Sequence, residues 1–394
     1  MVDDPIVVVA YARTAMGGFQ GSLSSMKSTD LGAAAVKGAL GRAGISPDAV
    51  DQIVMGCVLP AGLGQAPARQ AALSAGLPHS VEATTINKMC GSGMQAAMLA
   101  ADVLRAEAAD VIVAGGMESM SGAPYLLSKH RSGARIGHDA VKDSMFLDGL
   151  EDAYEPGKLM GSFAEDIAQE YQIGRAAQDA FAVESLLRAQ RAIESGAFAR
   201  EIVDVVVSGR AGDVVVNQDE QPGKADLAKI PTLKPAFARD GTITAANASS
   251  ISDGAAALVL TRASVADRLG VSPVARLVAK AAHAHAPARF ATAPVPAIQK
   301  LLAKAGWELS DVDLFEVNEA FAVVTMVAMH ELGIAHEKMN VNGGACALGH
   351  PIGASGARII ATLIAALQER GLSKGVASLC IGGGEATAVA LELM

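Results

Sequence analysis

Residues 342–358 read NGGACALGHPIGASGAR, a glycine-rich turn that runs into a helical pattern. His350 stands directly before Pro351, and a residue in that position is pushed towards an extended backbone. The helix is therefore expected to begin after the proline, at Ser355-Gly356. The pair Ser92-Gly93 opens another predicted helix in the first third of the chain. The same local plan thus occurs twice.

More of the last third of the chain repeats the first third, in the same order and at a nearly constant offset. The matching pieces are Ala43-Gly44 and Ala305-Gly306, Val50-Asp51 and Val312-Asp313, and Gly115-Gly116 and Gly382-Gly383. Together they predict a duplicated α/β half. The alternative is that unrelated α/β units share such short pieces at the ends of their elements, because glycine often ends an element.

Runs of apolar residues, together with the residues that typically begin or end a helix, predict the individual elements. Strands are expected at 6–10, 52–55, 84–87, 111–114 and 313–317, and helices at 30–43, at 92–106 and from about 320. Thr29 or Asp30 is the candidate N-cap of the first helix, and Gly44 its C-terminal glycine. Residues 120–248 are more polar, contain a helical stretch at 163–195, and are expected to form a long insertion of binding loops.

Composition limits the class of protein. The chain has 394 residues, 51% of them hydrophobic, which predicts two or more packed units. A net charge of −9 argues against nucleic acid as the main partner. The sequence shows no signal peptide and no membrane-length apolar run, so a cytoplasmic location without a membrane partner is expected. Four cysteines without metal-site spacing predict reduced thiols and no metal.

Cys90 lies in the segment Asn87-Lys88-Met89-Cys90-Gly91-Ser92-Gly93, between a predicted strand and the first turn of a helix. Free amides and the helix dipole at that position favour a thiolate. Gly91 and Gly93 would let a substrate approach the backbone. These features indicate an activated nucleophile. The alternative is a buried structural cysteine.

Three further motifs lie in turns or at the ends of predicted elements in the second half of the chain. His350 lies in its glycine-rich turn, where it is either a base for a thiol or a bystander. Cys380 ends a strand and faces three glycines, whose free amides suit an oxyanion. Asn318-Glu319 follows another strand, and Asn318 is either a functional polar group or the N-cap of the next helix.

The four motifs together resemble the thiolase family, in the family's order and over nearly the whole chain. They are NKMCGSGM around Cys90, Asn318-Glu319-Ala320-Phe321, GHPIGASGAR around His350, and CIGGG around Cys380. The resemblance implies an α/β thiolase fold, with duplicated halves in a five-layered αβαβα core and an inserted loop domain. The expected division is 1–120 plus 249–272 for the first half, 121–248 for the insertion and 273–394 for the second half.

The resemblance also implies catalytic roles. Cys90 would attack a thioester and become acylated, and His350 would activate it. Cys380 would remove the α-proton of a second acyl-CoA, or return it during cleavage. His350 and a water held by Asn318 would stabilise the enolate, while the amides of Cys90 and Gly382 would form a second oxyanion hole.

Positions that match CoA contacts of the family follow from the same resemblance. They are Leu150, Met160, Lys224, Asp226, Lys229, Phe237, Ala245, Ser249 and Phe321. The two lysines suit a phosphate role, although a solvated loop is the alternative for them. No cofactor is expected beyond the substrate CoA, and Cys57 and Cys346 are interpreted as packing residues.

Several positions depart from the bacterial biosynthetic members. Leu159 replaces a histidine of the pantetheine loop, and Phe290 is similar to animal mitochondrial members that accept a 2-methyl branch. Those members also bind potassium. Leu186 and Cys346 replace residues near that ion, so no potassium requirement is expected.

The expected activity is acetyl-CoA C-acetyltransferase, the reversible condensation of two acetyl-CoA into acetoacetyl-CoA and CoA. A degradative 3-ketoacyl-CoA thiolase of broader chain length is the close alternative. A β-ketoacyl synthase lacks the second catalytic cysteine, and a non-catalytic CoA- or lipid-binding relative would have lost a catalytic residue. The resemblance further implies a homodimer or homotetramer, assembled in part through residues 125–143.

Overall fold

The computed structural model describes residues 4–210 and 212–394. Within that part of the chain, the strands are β1 (Ile6–Thr14), β2 (Gly17–Gly18), β3 (Gln52–Gly56), β4 (Glu82–Ile86), β5 (Val111–Ser119), β6 (Tyr125–Leu126), β7 (Lys142–Asp143), β8 (Ile202–Val203), β9 (Val205–Gly209), β10 (Gly212–Val216), β11 (Ser252–Arg262), β12 (Ala275–Ala284), β13 (Leu314–Val317), β14 (Lys374–Ile381) and β15 (Glu385–Leu393). The α-helices are α1 (Ser28–Ala43), α2 (Pro67–Ser74), α3 (Ser92–Arg105), α4 (Met160–Glu170), α5 (Arg175–Ser195), α6 (Glu220–Lys224), α7 (Ala263–Leu269), α8 (Pro294–Ala305), α9 (Ala322–Leu332), α10 (Ala345–Leu348) and α11 (Ser355–Arg370).

The main sheet follows the order β13-β14-β15-β12-β1-β11-β5-β3-β4. Each half pairs its strands in the same way. In the first half β3 is parallel to β5, and β5 is antiparallel to β11. In the second half β13 is parallel to β14, and β14 is antiparallel to β15. The halves join where β1 meets β12 through two residue pairs, Val7 with Arg276 and Val8 with Ala275.

Three apolar clusters separate five layers. The first packs α1 and α2 on the outer face of the first-half sheet. The second packs α3 and α11 between the two half-sheets, and the third packs α8 and α9 on the outer face of the second half. Because a helix or a sheet buries its apolar face against a neighbouring layer, the resulting order is αβαβα. The predicted five-layered architecture is confirmed, while the three domain boundaries stay predictions.

The two central helices meet through a pair of glycines. A Cβ on Gly356 would lie 2.3 Å from the backbone nitrogen of Met94, and a Cβ on Gly93 would lie 2.8 Å from that of Ala357. No side chain fits at such distances, so the helix backbones touch directly. Gly93 and Gly356 belong to the repeated Ser-Gly pairs, and the duplication therefore supplies both sides of this contact.

Gly356→Ala is expected to lower the free energy of unfolding by about 1–3 kcal/mol, because the added methyl forces two packed backbones apart. The midpoint of urea unfolding measures this loss. Gly41→Ala is the matched control, since a Cβ there meets nothing within 4 Å. A Gly356→Ala protein that unfolds at the same urea concentration as Gly41→Ala would contradict the close contact.

Several element bounds differ from the sequence predictions. Strand β5 does not end at Gly115-Gly116 but continues through both to Ser119. The stretch 163–195 is two helices, with the break at residues 171–174, where Gln172 has φ 54°. The N-cap of α1 is Lys27, so neither Thr29 nor Asp30 caps it, whereas Gly44 ends the helix at φ 64° as predicted.

The segment between β5 and β11 contributes short pieces around the core. Strands β6 and β7 pair with each other, as do β9 and β10, while α4 and α5 pack against the second half.

None of the helices in 4–210 and 212–394 combines the length and apolar character that crossing a bilayer requires. The same residues hold no group of three or more His, Cys, Asp or Glu arranged for a metal ion.

Candidate active site

A cavity of about 370 Å³ opens where the two halves meet. Cys90 comes from the segment before α3, His350 from the turn before α11, and Cys380 with Gly382 from the end of β14. All four line this cavity. Residues far apart in sequence thus face one enclosed space, which is the geometry that a shared substrate requires.

A strained turn presents Cys90 to the cavity. Met89, the residue before it, has φ 48°, in the left-handed region that side chains other than glycine rarely occupy. Ser92 stabilises this turn, since its Oγ accepts the N–H of Lys88 at 2.8 Å and donates to the carbonyl of Met89 at 2.6 Å. Because Ser92 also begins α3, the helix itself fixes the position of the sulfur.

The second half of the chain occupies the space beside Gly91 and Gly93. A Cβ on Gly91 would lie 2.4 Å from Cδ1 of Ile381, and one on Gly93 would lie 3.1 Å from the carbonyl oxygen of Gly353. Both glycines make room for the second half of the chain. The close approach of the halves, which brings Cys90 near the end of β14, depends on them.

Cys90 is not a resting thiolate. Burial raises the pKa of its thiol to about 11, although the backbone N–H groups of Gly382 and of Cys90 itself donate to the sulfur and oppose that rise. The helix-terminus argument named neither the Gly382 donor nor the desolvation, which has the larger effect. A base must therefore remove the proton of Cys90 if this thiol is to act as a nucleophile.

His350 is suited to be that base. Ser355 Oγ donates to the carbonyl of Pro351 at 3.0 Å, so the same oxygen must accept the Nδ1–H of His350 at 2.5 Å. This tautomer leaves a lone pair on Nε2, which has no partner among the described residues. Burial, with a smaller contribution from the charge of Arg358, lowers the pKa of His350 to about 3, so the imidazole is neutral.

Cys380 is more deeply buried than Cys90, with 1% of its surface exposed. Burial, followed by the charge of Cys90, raises the pKa of the Cys380 thiol well above its ordinary value. Cys90 lines the same cavity, and a negative charge on its sulfur opposes ionisation of Cys380. Gly383 and Gly384 turn the chain after β14 with φ 95° and 86°, conformations that only glycine adopts readily.

Asn318 lies behind the cavity and does not line it. Its backbone N–H donates to the carbonyl of Ser378 at 3.0 Å, and its Oδ1 accepts Nη2 of Arg358 at 3.2 Å. Helix α9 begins at Ala322 with Phe321 as its N-cap, so the alternative of Asn318 as a helix cap is wrong. The side chain is held by the second half's central helix instead.

The positions predicted to contact CoA divide between two neighbouring cavities. Those that line the cavity of the two thiols are Leu150, Met160, Phe237, Ala245, Ser249 and Phe321. A second cavity of about 280 Å³ is lined by Lys224, Asp226 and Lys229, and Ala245 lines both. Together the two cavities suit an elongated ligand with an apolar end and an anionic end.

The two lysines pair with neighbouring carboxylates. Lys224 contacts Glu220, and Lys229 lies 3.3 Å from Asp226. Both lysines are exposed, with 65% and 76% of their side-chain surface accessible. Such pairs contribute little to stability and exchange readily for an anionic ligand. The alternative of a solvated loop stays open for these residues.

The cysteines interpreted as packing residues lie outside the thiol cavity. Cys57 is buried beside Glu118, with Sγ 3.6 Å from its Oε1. Cys346 lines the second cavity, and its Sγ lies 3.7 Å from the carbonyl oxygen of Glu319. Burial raises the pKa of both thiols, as it does for Cys90, but neither of them lines the cavity that His350 faces.

No role was predicted for Glu118 from the sequence, although its side chain holds two segments of the site together. Its carboxylate accepts the N–H groups of Val58, Leu59 and Gly353 at 2.9, 3.1 and 2.9 Å. It therefore fastens the loop after β3 to the turn that carries His350. Burial raises the pKa of Glu118 to about 7. Its place near the end of β5 gave no signal of these partners, which come from distant segments.

The rest of the wall is apolar. Leu159 and Phe290, two of the positions that were expected to depart from bacterial biosynthetic members, both line the cavity. Phe290 and Phe237 each meet the ring of Phe321 edge to face, with centroids 6.2 and 5.8 Å apart. An apolar wall around two thiols and a neutral imidazole suits acyl transfer between thiols, because apolar side chains disfavour water beside a bound carbonyl.

Two family models match the chain. "Thiolase, N-terminal domain" covers residues 6–264, and "Thiolase, C-terminal domain" covers residues 271–393. Acetyl-CoA acetyltransferase 2 of Arabidopsis thaliana is 52% identical over 99% of this chain and 97% of its own, and the acetyl-CoA acetyltransferase of Escherichia coli is 51% identical over 98% of both.

A solved structure agrees with these relatives. The crystal structure of the Bacillus anthracis acetyl-CoA acetyltransferase superimposes with a TM-score of 0.97 and 41% identity, over 99% of each chain. The duplicated halves, the paired thiols and the whole-length similarity to these proteins lead to one assignment: this chain belongs to the thiolase family.

Proposed function

We propose that this chain is an acetyl-CoA C-acetyltransferase, which condenses two acetyl-CoA reversibly into acetoacetyl-CoA and CoA through an acyl-Cys90 intermediate. One observation carries the proposal: Cys90, Cys380 and an unprotonated His350 line the same apolar cavity. The relatives named acetyl-CoA acetyltransferase, at about half identity over their whole length, support this choice of substrate.

Acylation is the first half-reaction. His350 Nε2 takes the proton from Cys90, and the thiolate attacks the thioester carbonyl of acetyl-CoA. The carbon–sulfur bond to CoA breaks, and the CoA thiolate receives the proton from His350. The N–H groups of Cys90 and Gly382, which converge on the sulfur, stabilise the negative charge on the carbonyl oxygen.

Condensation is the second half-reaction. Cys380 gives its thiol proton to His350 Nε2, and the Cys380 thiolate takes an α-proton from a second acetyl-CoA, whose enolate carbon attacks the acyl-Cys90 carbonyl. The new carbon–carbon bond forms, the bond to the Cys90 sulfur breaks, and the released Cys90 thiolate takes the proton back from His350, so both thiols end neutral. His350 and a water held by Asn318 stabilise the enolate oxygen before the bond forms.

The CoA contacts, the assembly and the location belong to this proposal. The nucleotide end of CoA would lie along Lys224, Asp226 and Lys229 in the second cavity. A homodimer or homotetramer is supported by the apolar side chains of Tyr125, Ile136 and Val141, which are 67%, 94% and 61% exposed in residues 125–143. Sedimentation of the purified protein tests the assembly, and localisation of a tagged chain tests the cytoplasm.

Two alternatives predict different behaviour. A β-ketoacyl synthase would not use Cys380, which lies in the cavity beside Cys90. A non-catalytic relative would not retain both thiols together with an unprotonated base. A degradative thiolase of broader chain length shares this geometry, so the acyl preference must be measured.

Thiolysis of a series of 3-ketoacyl-CoA substrates tests the activity. We expect acetoacetyl-CoA to give the highest kcat/KM, with a loss of roughly tenfold or more as each two-carbon unit is added, because the aromatic wall closes the acyl end. The series includes 2-methylacetoacetyl-CoA, which the similarity at Phe290 predicts to be cleaved. A kcat/KM that rises with chain length would establish the degradative alternative, and no thiolysis of any member would overturn the proposal.

A further inference from the structure

Arg358 is a buried arginine on the central helix α11, with none of its surface exposed. Within the described residues, its guanidinium makes one hydrogen bond, from Nη2 to Oδ1 of Asn318 at 3.2 Å. Nη1 lies 3.7 Å from a carboxylate oxygen of Glu316, beyond hydrogen-bond distance. The best-made polar contact of this buried charge is therefore with a proposed active-site residue.

A second buried arginine shows how different this arrangement is. Arg13 is equally inaccessible, but it contacts Asp219 through two hydrogen bonds of 2.7 and 2.9 Å and Glu201 at 2.8 Å. Burying a guanidinium costs several kcal/mol unless good partners compensate for the lost water. Arg13 has those partners and Arg358 does not, so structural stability alone does not account for Arg358.

The contact decides which way the Asn318 amide faces. Arginine can only donate, so the atom of Asn318 that faces it must be the oxygen. The backbone of Asn318 is already fixed, because its N–H donates to Ser378 and its carbonyl accepts the N–H of Ala320, both at 3.0 Å. Rotation of the amide is the freedom that remains, and Arg358 removes it.

The contact with Arg358 therefore also sets the direction of the Asn318 N–H donors. With Oδ1 held by Arg358, the Nδ2 group of Asn318 is turned away from the guanidinium and is free of protein partners among the described residues. The same positive charge acts on His350, whose pKa it helps to lower. Arg358 therefore influences both side chains that would stabilise the enolate, although it does not line the cavity.

We propose that Arg358 is a positioning residue for condensation: it holds the Asn318 amide so that its N–H groups donate towards the enolate site. The proposal rests on the proposed function, because it assumes the second half-reaction. Acylation of Cys90 does not use the Asn318 amide, and burial, the larger of the two causes that lower the pKa of His350, remains when Arg358 is replaced. The two half-reactions should therefore respond differently when Arg358 is replaced.

Arg358→Met tests this separation. Condensation is expected to fall on the order of 10²-fold, as when one oxyanion donor is lost. The acylation half-reaction, followed as exchange of labelled CoA into acetyl-CoA, is expected to stay within about threefold of the unaltered protein. Arg370→Met is the matched control, since Arg370 ends the same helix and its Nη2 donates to Oδ1 of Asn342 at 3.0 Å, away from the cavity.

The outcomes are distinct. Equal losses in exchange and condensation, or no loss in either, would overturn the positioning role. If the unaltered protein neither exchanges CoA nor acquires an acetyl group, the proposed function fails instead. The control is expected to change neither half-reaction by more than about threefold, and a loss confined to condensation in Arg370→Met would also count against the proposal.

A second variant keeps the test available if Arg358→Met does not fold. Glu316 is left without its cation in that variant, although burial already raises the pKa of this carboxyl to about 8. Arg358→Met/Glu316→Gln removes both charges, and Glu316→Gln alone keeps the contact between Arg358 and Asn318. The double variant is expected to lose condensation and the single variant to retain it. The same loss in Glu316→Gln would assign the effect to the carboxylate and overturn the proposal.

Discussion

Cys90→Ser is expected to abolish acetyl labelling of the protein and to lower thiolysis and condensation by roughly 10⁴–10⁶-fold, the scale at which loss of a nucleophile acts. Serine is close in size, so the turn and the hydrogen bonds from Ser92 should remain. The hydroxyl is a far weaker acid than the thiol, and a thiol with a pKa of about 11 already needs His350 to remove its proton.

Mass spectrometry of the intact protein after incubation with acetyl-CoA measures the first effect, and peptide mapping locates the label. Cys57→Ser is the matched control, because it makes the same change at a buried thiol outside the cavity. The control should gain one acetyl group, as the unaltered protein does. An acetyl group that still appears in Cys90→Ser, on another residue, would contradict the assignment of the nucleophile.

Residues whose role depends on nearby sequence could be predicted. Cys90, His350 and Cys380 each lie beside glycines near the end of an element, and this local signal singled out three residues that line one cavity. The ionisation of Cys90 could not be predicted in the same way. It depends on how many atoms of the other half surround the sulfur, which no local pattern reports.

Glycines were the least reliable guide. Gly115 and Gly116 resemble a strand end, but β5 runs through them because another chain segment lies too close for a side chain. A Cβ on Gly115 would be 2.1 Å from the carbonyl oxygen of Ala256, and one on Gly116 would be 2.0 Å from that of Gly353. Glycine serves turns and close packing equally well, and the sequence does not distinguish them.

Contacts between segments that are far apart in sequence account for most of the residue roles that the sequence did not predict. Glu118 binds Gly353, and Arg358 binds Asn318, across separations that only the folded sheet closes. Both are buried charged groups, a class that is rare unless partners or a task explain them. Their burial is the structural observation that singles them out.

Cys380→Ser is expected to retain acetylation of Cys90 but to lower condensation and thiolysis by roughly 10³-fold, within the range for loss of a general base. A hydroxyl at this position keeps the shape of the site but is too weak an acid to supply the anionic base. Release of deuterium from labelled acetyl-CoA measures the proton transfer directly. The exchange of CoA reports acylation in the same samples.

The variant that loses both half-reactions equally would contradict this division of labour. Arg370→Met serves again as a folded control, since its contact lies at the far end of α11. A deuterium loss that continues at the normal rate in Cys380→Ser would show that another group removes the α-proton, and His350 would then be the candidate.

The sulfurs of Cys90 and Cys380 also explain why acylation precedes condensation. Burial comes first and the charge of Cys90 second among the causes that raise the pKa of Cys380. Two thiols in one small cavity cannot both ionise, so an unacylated Cys90 competes with Cys380 for the single negative charge. Acylation converts Cys90 into a neutral thioester and removes that competition. Cys380 therefore ionises more readily once the acyl group is in place, and Cys380→Ser should stop the reaction at the acyl-enzyme.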